Sequence, residues 1–324
     1  MKAFILPLLA ALVLAFPARA HADTVLTLGH ARSADHPRAR ASRHFAELVK
    51  THSGGRLSVE VLGGASFGDD VAMLTALKDG SLDISANSQG PLSAYVPEIS
   101  AFGLPFLFDR PERAFRLLDG PLGDQLAQHM ADAGFILLGF WDNGIRHFSN
   151  SVRPLLKPAD FAGLKIRTPA DPVTTDIVRA LGAQPVEIRF AAVYQTLQKR
   201  AVDGQENPLI NFRTARLQEV QPYLSLTAHK YEITPFVMSR RSWNALSPAD
   251  RNIIRAAADE ATTQQRAMAR RGEEEAQQAL VASGIQISRV NRAAFVEATR
   301  PVYEKWYASP IGAYVRRVVE AAAE

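Results

Sequence analysis

The stretch Phe161–Phe212, FAGLKIRTPADPVTTDIVRALGAQPVEIRFAAVYQTLQKRAVDGQENPLINF, carries the most specific signals in this chain of 324 residues. Leu164–Arg167 alternates apolar and basic side chains, which predicts a short strand that stops before Pro169. A helix is predicted over Asp171–Leu181, because an Asp-Pro start is typical of a helix N-terminus and apolar residues then recur at helical spacing. Arg167 therefore lies where a strand opens into a helix, and a guanidinium there suits a carboxylate or phosphate ligand. The alternative on spacing alone is a surface arginine in a salt bridge.

The rest of this stretch predicts a second strand and helix and then a turn. Gln184–Ile188 is the predicted strand and Ala191–Lys199 the predicted helix, and Phe190 lies between them as a candidate helix-staple residue. Asn207 precedes Pro208, which is the arrangement of an N-cap followed by a proline at the first helical position. Capping explains Asn207 without a ligand, and its amide nitrogen would still be free to donate.

The first part of the chain alternates strands and helices. The predicted strands are Val25–Leu28, Leu57–Leu62 and Leu82–Ala86, and the predicted helices are Pro37–Thr51 and Asp69–Lys78. This alternation implies parallel strands joined by crossover helices, hence a doubly wound α/β lobe, whose ligands collect at the carboxyl ends of the strands. Small and polar residues follow all three strands, and the candidate contacts among them are His30, Asp70, Ser88 and Gln89. Asp70 and its neighbour Asp69 also suit the cap of the next helix.

An apolar run, Phe135–Trp141, predicts a buried strand that leads into the crossing between two lobes. Asn143-Gly144 after it predicts a turn, which presents Arg146. Trp141 and Asp142 join the candidate contacts because they end this strand.

The chain then returns across the lobes. Tyr223–Lys230 and Thr234–Ser239 are predicted as two strands. Ser247-Pro248 opens a helical pattern that runs to Ser283. Its roughly 35 residues at about 1.5 Å each exceed about 50 Å, longer than one lobe, so we expect one helix that spans both.

The N-terminus predicts export. Residues Met1–Ala22 contain an early Lys2, an apolar run over Ala3–Phe16 and small residues at the end, which is typical of a secretory signal cleaved after Ala22. The apolar run is shorter than the ~18–20 residues that span a bilayer, so an uncleaved anchor is the weaker interpretation. The chain has no cysteine, which excludes a lipobox anchor and a disulfide framework.

Charge and motifs argue against several classes of protein. The chain has 37 Lys and Arg against 33 Asp and Glu, and removal of Lys2 and Arg19 with the leader lowers the formal charge from +4 to +2. The basic residues are scattered among acids rather than gathered in a stripe, so we expect no nucleic-acid partner. There is no HExxH motif and no Cys/His cluster, so a metal site has no support and no cofactor is expected.

A G-x-S-x-G motif at Gly64–Gly68 raises the hypothesis of an exported serine hydrolase that acts through Ser66. That fold places several strands before its serine and an oxyanion loop of the HGG type earlier in the chain. Only two predicted strands precede Ser66, and no such loop occurs. We therefore favour a glycine turn that leads into the next helix.

Three segments of the opening stretch, GLKIR-x-P, GAQPVEIRFAAVYQTLQ and AVDGQENPL, resemble the DctP-type solute receptors of TRAP transporters. GGASFGDD, ALKDGSLDI, LPFLFD and FWDNGIRHFSN also match in the family's order, so the resemblance covers nearly the whole chain after the leader. It implies an α/β, two-lobed periplasmic-binding-protein-like fold with a ligand cleft between the lobes and a long helix spanning both. In that family the arginine matching Arg167 makes a two-pronged salt bridge to the ligand carboxylate. Residues matching Asn207 and Arg146 assist, and the phenylalanine matching Phe190 lines the site.

From these features we expect a periplasmic receptor that is not an enzyme. Its predicted lobes are residues 23–143 with about 231–270, and residues 144–230 with about 271–324. The expected partners of the monomer are a small organic acid and a TRAP membrane permease, although a sensing partner of a membrane kinase would use the same pocket. C4-dicarboxylates, sugar acids and hydroxy acids remain open as ligands. Since no candidate contact in the first lobe is a fixed cation, we favour a hydroxylated monocarboxylate such as a sugar acid over succinate.

Overall fold

The computed structural model describes residues 24–324, so the predicted leader 1–22 and its cleavage after Ala22 lie outside the described residues. Within these residues nine strands form one mixed sheet: β1 Thr24–Gly29, β2 Leu57–Leu62, β3 Ile84–Ala86, β4 Phe135–Asn150, β5 Lys165–Thr168, β6 Gln184–Glu187, β7 Gly204–Asn207, β8 Tyr223–Ser239 and β9 Gln286–Arg289. The α-helices are α1 Pro37–His52, α2 Asp70–Asp79, α3 Gln89–Leu92, α4 Pro111–Leu118, α5 Pro121–Asp132, α6 Pro172–Ala180, α7 Val193–Gln198, α8 Leu209–Thr214, α9 Arg240–Ala245, α10 Pro248–Ala282, α11 Arg292–Tyr307 and α12 Gly312–Ala323. No helix within residues 24–324 is both long and apolar enough to cross a membrane.

Two long antiparallel strands, β4 and β8, join two groups of short parallel strands. The order in the sheet is β2-β1-β3-β8-β4-β7-β5-β6, with β9 paired to β8. Strands β1 to β3 are parallel to one another, and so are β5 to β7. The parallel first group and its crossover helices confirm the predicted α/β class. We call the two groups, with their helices, the β1–β3 side and the β5–β7 side.

The register of the long strands decides how the two sides face each other. Strand β3 pairs with Phe236–Met238 near the end of β8, whereas β7 pairs with His147–Asn150 at the end of β4. Three antiparallel pairings separate β3 from β7, so the two groups run in opposite directions and their carboxyl ends point toward each other. Arg146 of β4 lies between them, opposite Lys230 of β8. Because ligands of parallel sheets bind beyond the carboxyl ends of the strands, this arrangement places a candidate site between the two sides.

Side-chain caps explain where three helices begin. The Asp171 carboxylate accepts hydrogen bonds from the backbone N–H groups of the first turn of α6. Asp69 Oδ1 accepts one at 2.9 Å from the first turn of α2, and Ser247 Oγ accepts one at 3.1 Å from the first turn of α10. An oxygen at this position satisfies backbone donors that have no partner inside the helix. These caps confirm the helix starts that the sequence predicted.

Helix α10 has 35 residues and contacts both sides of the molecule. Its buried residues recur every three or four positions, as Ile254, Ala257, Ala258, Ala261, Gln265, Ala269, Gly272, Ala276 and Leu280. This stripe packs against α1 and β4, and its later turns pack against α8 of the β5–β7 side. The prediction of one helix spanning both sides is confirmed.

Three local predictions about the crossing segments were wrong. Asn143-Gly144 does not form a turn, because β4 continues through it as a bulge in which Gly144 has a φ of 112°. Strand β8 is continuous over the two strands predicted there. Asn207 is the last residue of β7, and Pro208 takes the N-cap position of α8. In each case pairing with a distant strand supplies the backbone partners, and local turn and cap signals carry no information about it.

Candidate functional site

A cleft of about 110 Å³ lies between the facing strand ends. It is lined from the β1–β3 side by Ala31, Arg32, Ala65, Asp69, Asp70, Val71, Ser88 and Pro91, from the β5–β7 side by Arg167, Pro169, Ala170, Glu187, Arg189, Phe190, Ala191 and Asn207, and from the long strands by Arg146 and Glu232. Of the residues predicted as contacts, the structure brings together Arg167, Arg146, Asn207, Phe190, Asp70 and Ser88. The other four, His30, Gln89, Trp141 and Asp142, do not line it.

Arg167 presents the free end of its guanidinium to the cleft. The residue lies on β5 and is only 2% exposed. Its Nε donates to the Ile188 carbonyl oxygen at 2.7 Å, which fixes the plane of the group, and neither Nη atom has a hydrogen-bond partner within residues 24–324. Burial lowers the pKa of Arg167 to about 10, so the group is still protonated at neutral pH. Two parallel N–H donors on a fixed cation match the geometry of a carboxylate.

Arg146 has most of its hydrogen-bonding capacity taken up by the protein. Its Nε and Nη2 bind the Glu206 carboxylate, Nη2 also donates to the Glu206 carbonyl oxygen at 2.7 Å, and Nη1 binds Glu232 Oε2. Burial works against the charge of Arg146, but the two carboxylates raise its pKa overall. One N–H of Nη1 is left, and the positive charge is already neutralised. The geometry therefore favours a positioning role for Arg146 over that of a second carboxylate anchor.

Asn207 has one N–H left for a ligand. Its Nδ2 donates to Gln205 Oε1 at 2.5 Å, and its Oδ1 accepts from Asn211 Nδ2 at 3.1 Å. An amide nitrogen carries two hydrogens, so the second remains available on the cleft side. The side-chain amides of Gln205 and Asn211 hold Asn207 in place. Asn207 does not cap α8, as the sequence predicted, because Pro208 takes that position.

Arg32 is a cleft residue that the sequence analysis missed. It is 4% exposed, its Nη2 donates to Ser88 Oγ at 3.3 Å, and its Nε and Nη1 are buried without a partner in residues 24–324. Its guanidinium carbon lies 4.1 Å from the centre of the Phe190 ring, so the two sides touch here through a cation–π contact. Its position in the sequence could have indicated this role, because Arg32 follows the carboxyl end of β1, where ligands of parallel sheets bind. This cation overturns the premise that the first lobe offers no fixed positive charge.

Asp70 and Ser88 lie next to each other in the cleft. Asp70 Oδ2 accepts from the Ser88 backbone N–H at 3.3 Å, and Asp70 Oδ1 is buried without a partner within the described chain. The helix cap predicted for this pair of acids is supplied by Asp69. Asp70 therefore has a free acceptor facing the cleft.

His30 and Gln89 support the cleft from behind. His30 is 1% exposed, and its Nδ1 accepts from the Arg32 backbone N–H at 3.2 Å. Burial and nearby arginines lower the pKa of His30 to about 4, so it is neutral. Gln89 donates to the Ile99 carbonyl oxygen at 2.8 Å and accepts from the Ile233 N–H at 3.3 Å. Neither side chain lines the cleft, and each hydrogen-bonds protein atoms.

Trp141 and Asp142 also lie away from the cleft. The Trp141 ring is fully buried, stacks on Phe236 with 4.3 Å between ring centres, and donates from Nε1 to Thr262 Oγ1 at 3.0 Å. Asp142 accepts from the Tyr231 hydroxyl at 3.1 Å and lines a separate cavity of about 350 Å³ beside α10. Both residues were predicted as ligand contacts, but the continuous strand β4 directs them into the packing against α10.

Asp142 makes the stability of the fold depend on pH. Burial raises the pKa of Asp142 from its ordinary value of 3.8 to about 7. The folded protein therefore keeps a proton that the unfolded chain releases near pH 4, and this group destabilises the fold increasingly between about pH 4 and about pH 7. Asp142→Asn keeps an acceptor for Tyr231 but has no proton to lose. The difference in free energy of unfolding, variant minus parent, should therefore increase by a few kcal/mol from about pH 4 to about pH 7 and stay constant at higher pH. Urea unfolding at several pH values measures the difference, and parallel curves for parent and variant would contradict the assignment.

Helix α3 passes so close to the cap of α6 that position 90 has room for glycine alone. A Cβ on Gly90 would lie 2.4 Å from Asp171 Cβ and 3.0 Å from the Ala170 carbonyl oxygen. Asp171 cannot move aside easily, because its carboxylate binds the buried Lys230 ammonium group as well as the N-terminus of α6. This contact joins the β1–β3 side to the β5–β7 side beside the cleft.

Gly90→Ala is expected to displace α3 from the cap of α6 and to weaken ligand binding about tenfold, since fewer molecules would then hold the two sides close enough to bind a ligand between them. Calorimetry would measure the affinity and X-ray scattering the radius of gyration with and without ligand. The unfolding midpoint of the free protein is measured alongside and should fall as well, because the added methyl group overlaps buried atoms. Unchanged affinity, or a ligand-bound radius equal to that of the parent, would show that the contact does not limit closure.

Ser66 lacks the surroundings of a nucleophile. Its side chain is exposed in the turn between β2 and α2, and no hydrogen bond within residues 24–324 joins its Oγ to a histidine. Within the same residues, no three His, Asp or Glu side chains are grouped so as to hold a metal ion. The positive φ of 63° falls on Ala65, so the turn aims the serine outward rather than into a pocket. The geometry favours the glycine turn.

A two-sided α/β fold with a buried, charged cleft between its sides is the architecture of extracytoplasmic solute receptors. The model of the DctP family, described as bacterial extracellular solute-binding protein family 7, matches residues 28–309. The chain belongs to this family, whose receptors are periplasmic, bind small organic acids and work with TRAP permeases. The family is one of receptors and not of enzymes.

Individual relatives agree with this assignment. The uncharacterized protein y4mM of Sinorhizobium fredii is 46% identical over 286 residues, which are 88% of this chain but only 53% of that protein. The C4-dicarboxylate-binding periplasmic protein DctP of Rhodobacter capsulatus is 33% identical over 319 residues, which are 96% of this chain and 94% of that protein. The crystal structure of the sugar acid binding protein DctPAm from Advenella mimigardefordensis in complex with galactonate superposes with a TM-score of 0.90 at 33% identity, covering 92% of this chain and 97% of that one.

Proposed function

We propose that this protein is a periplasmic receptor that captures one small organic acid between its two sides and delivers it to a TRAP membrane permease. The observation that carries the proposal is the buried Arg167 guanidinium, whose two Nη groups face the cleft without a partner within the described chain. The Rhodobacter relative is named for C4-dicarboxylates, and the Advenella structure contains galactonate. These ligands share a carboxylate, which is the group that such a guanidinium binds best.

In this mechanism the ligand is held and no bond is broken. The carboxylate takes two parallel charge-assisted hydrogen bonds from Arg167, and the remaining Nδ2 hydrogen of Asn207 donates nearby. Arg146 keeps Glu206 and Glu232 in position beneath the ligand. Phe190 covers the site, because it stacks on Arg32 from the opposite side of the cleft.

Closure of the two lobes would complete the site. The lobes are residues 23–143 with about 231–270 and residues 144–230 with about 271–324, and the hinge consists of β4, β8 and α10, which run through both. Approach of the lobes excludes water, which strengthens the charged contacts. The receptor acts as a monomer, after cleavage of the leader following Ala22.

A binding screen of the protein from Asp23 onward tests the function. The protein is first unfolded, washed and refolded so that carried-over ligand is removed, and succinate, malate, D-glucuronate and D-galactonate are then compared by calorimetry. Neutral galactose is the matched control, since it offers hydroxyls without a carboxylate. We expect at least one acid to bind in the micromolar range or tighter and galactose not to bind. Equal binding of galactose, or no binding of any organic acid, would contradict a carboxylate receptor.

A further inference from the structure

Four buried polar atoms without a partner in residues 24–324 belong to residues that line the cleft with Arg167. Two are donors, Nε and Nη1 of Arg32, and two are acceptors, Oδ1 of Asp70 and Oε1 of Glu232. All three residues line the cleft. A buried polar group without a partner destabilises a protein, so these atoms point to ligand groups that would satisfy them.

The mixture of donors and acceptors restricts what those ligand groups can be. A second carboxylate would satisfy Arg32, but it has no hydrogen to donate and would add a negative charge beside Asp70 and Glu232. A hydroxyl group accepts a hydrogen bond and donates one. Hydroxyls can therefore satisfy Arg32 and the two carboxylates at the same time.

The charge around the cleft agrees with a ligand that carries one negative charge. The buried arginines here are Arg32, Arg38, Arg146 and Arg167, and the carboxylates that face them are Asp70, Glu206 and Glu232. These four buried arginines outnumber the three carboxylates by one, and one ligand carboxylate would balance that positive charge. Asp69 also lines the cleft, but it is only partly buried and caps helix α2. The charged residues at the rim, Glu187 and Arg189, are exposed and screened by solvent.

We infer that Arg32, together with Asp70 and Glu232, selects ligands that carry hydroxyl groups rather than a second carboxylate in addition to the carboxylate that Arg167 holds. The inference rests on the proposed function, because it takes the ligand to be a carboxylate held by Arg167. It makes Arg32 a specificity-determining residue. The preference for a hydroxylated monocarboxylate is the same as the one predicted from the sequence, but its basis is different. It now rests on the Arg32 cation and the two acceptors of Asp70 and Glu232, and no longer on the absence of a cation.

The parent protein is tested first, against ligands that differ only in these groups. Galactonate, gluconate, glucuronate and galacturonate carry one carboxylate and several hydroxyls, hexanoate carries one carboxylate alone, and adipate carries two carboxylates on a chain of the same length. We expect the tightest of the four sugar acids to bind at least about a hundredfold better than hexanoate or adipate, since several hydrogen bonds to charged groups are involved.

Two substitutions then separate the roles of the cation and the acid. Arg32→Met should weaken binding of that sugar acid about ten- to a hundredfold, because the ligand hydroxyls lose their hydrogen bonds to the guanidinium. Arg32→Lys keeps the charge but loses the planar fork, so it should also bind more weakly. Asp70→Asn should weaken sugar-acid binding about tenfold yet strengthen adipate binding, because the repelling charge is gone.

The outcomes separate failure of this inference from failure of the proposed function. If succinate, adipate or hexanoate binds the parent more tightly than every sugar acid and Arg167→Ala abolishes that binding, the receptor stands and the inference is overturned. The same holds if Arg32→Met or Arg32→Lys binds the sugar acid like the parent, or if Asp70→Asn leaves the order of ligands and their affinities unchanged. If no organic acid binds the parent, the proposed function itself fails.

Discussion

Arg167→Ala is expected to bind its organic acid about ten- to a hundredfold more weakly than the parent, because hydrogen bonds to charged groups contribute about 1.5–3 kcal/mol. The affinity should fall, whereas the free energy of unfolding of the free protein should stay close to that of the parent. The Arg167 Nη groups have no partner in residues 24–324, so their removal leaves only the Ile188 carbonyl without its donor. Calorimetry with the ligand identified in the screen measures the affinity, and urea unfolding of the free protein measures stability.

Arg167→Lys tests the geometry of the contact. Lysine keeps the positive charge but has a single nitrogen, so it cannot make two parallel hydrogen bonds to one carboxylate. We expect it to bind almost as weakly as Arg167→Ala. Arg189→Ala is the matched control, since Arg189 carries the same charge at the exposed rim of the same cleft and should contribute little. Binding by Arg167→Lys at the affinity of the parent would rule out the two-pronged contact.

Arg146→Met is expected to reduce the free energy of unfolding by about 3–5 kcal/mol, because it leaves buried carboxylates without their counter-ion. Glu206 and Glu232 are 0% and 1% exposed, and Arg146 binds both. Urea unfolding of the free protein measures the loss. Ligand affinity should change less than in Arg167→Ala, provided that the measurement is made where the variant is still folded.

A triple variant tests whether the carboxylates cause that loss. In Arg146→Met combined with Glu206→Gln and Glu232→Gln, no negative charge is left unpaired, so part of the lost stability should return. If Arg146→Met instead unfolds like the parent and loses ligand binding, Arg146 is a direct ligand contact and the positioning role is wrong.

Local signals predicted several elements on both sides of the molecule. The strand at Arg167, the cap at Asp171 and the start of α10 at Ser247 depend on residues within one turn of each other, and the structure contains all three. Such features follow from short-range hydrogen bonds and steric limits, which a sequence window contains in full.

The pairing of the long strands and the charge balance of the cleft were harder to predict from the sequence. Gly144 and Asn207 carry turn and cap signals, yet both lie in strands because β4, β7 and β8 pair over separations of many residues. Arg146 follows such a signal too, and nothing near it in sequence indicates that Glu206 and Glu232 neutralise it. Arg32 could not be identified for the same reason. Its role depends on the positions of Phe190 and Asp70, which are distant from it in sequence.

Local patterns in the sequence were enough to predict the α/β class, the helix that spans both sides and the position of Arg167 at a strand end. These follow from periodicity, caps and composition, all of which act over short distances along the chain. The neutralisation of Arg146, the packing of Trp141 and Asp142 against α10, and the place of Arg32 in the cleft depend on long-range contacts of the folded chain. The electrostatic energy of a charged side chain depends on its distance to other charges and on how far it is buried from water. Both are set by the folded arrangement of the two sides of the sheet and not by residues nearby in sequence.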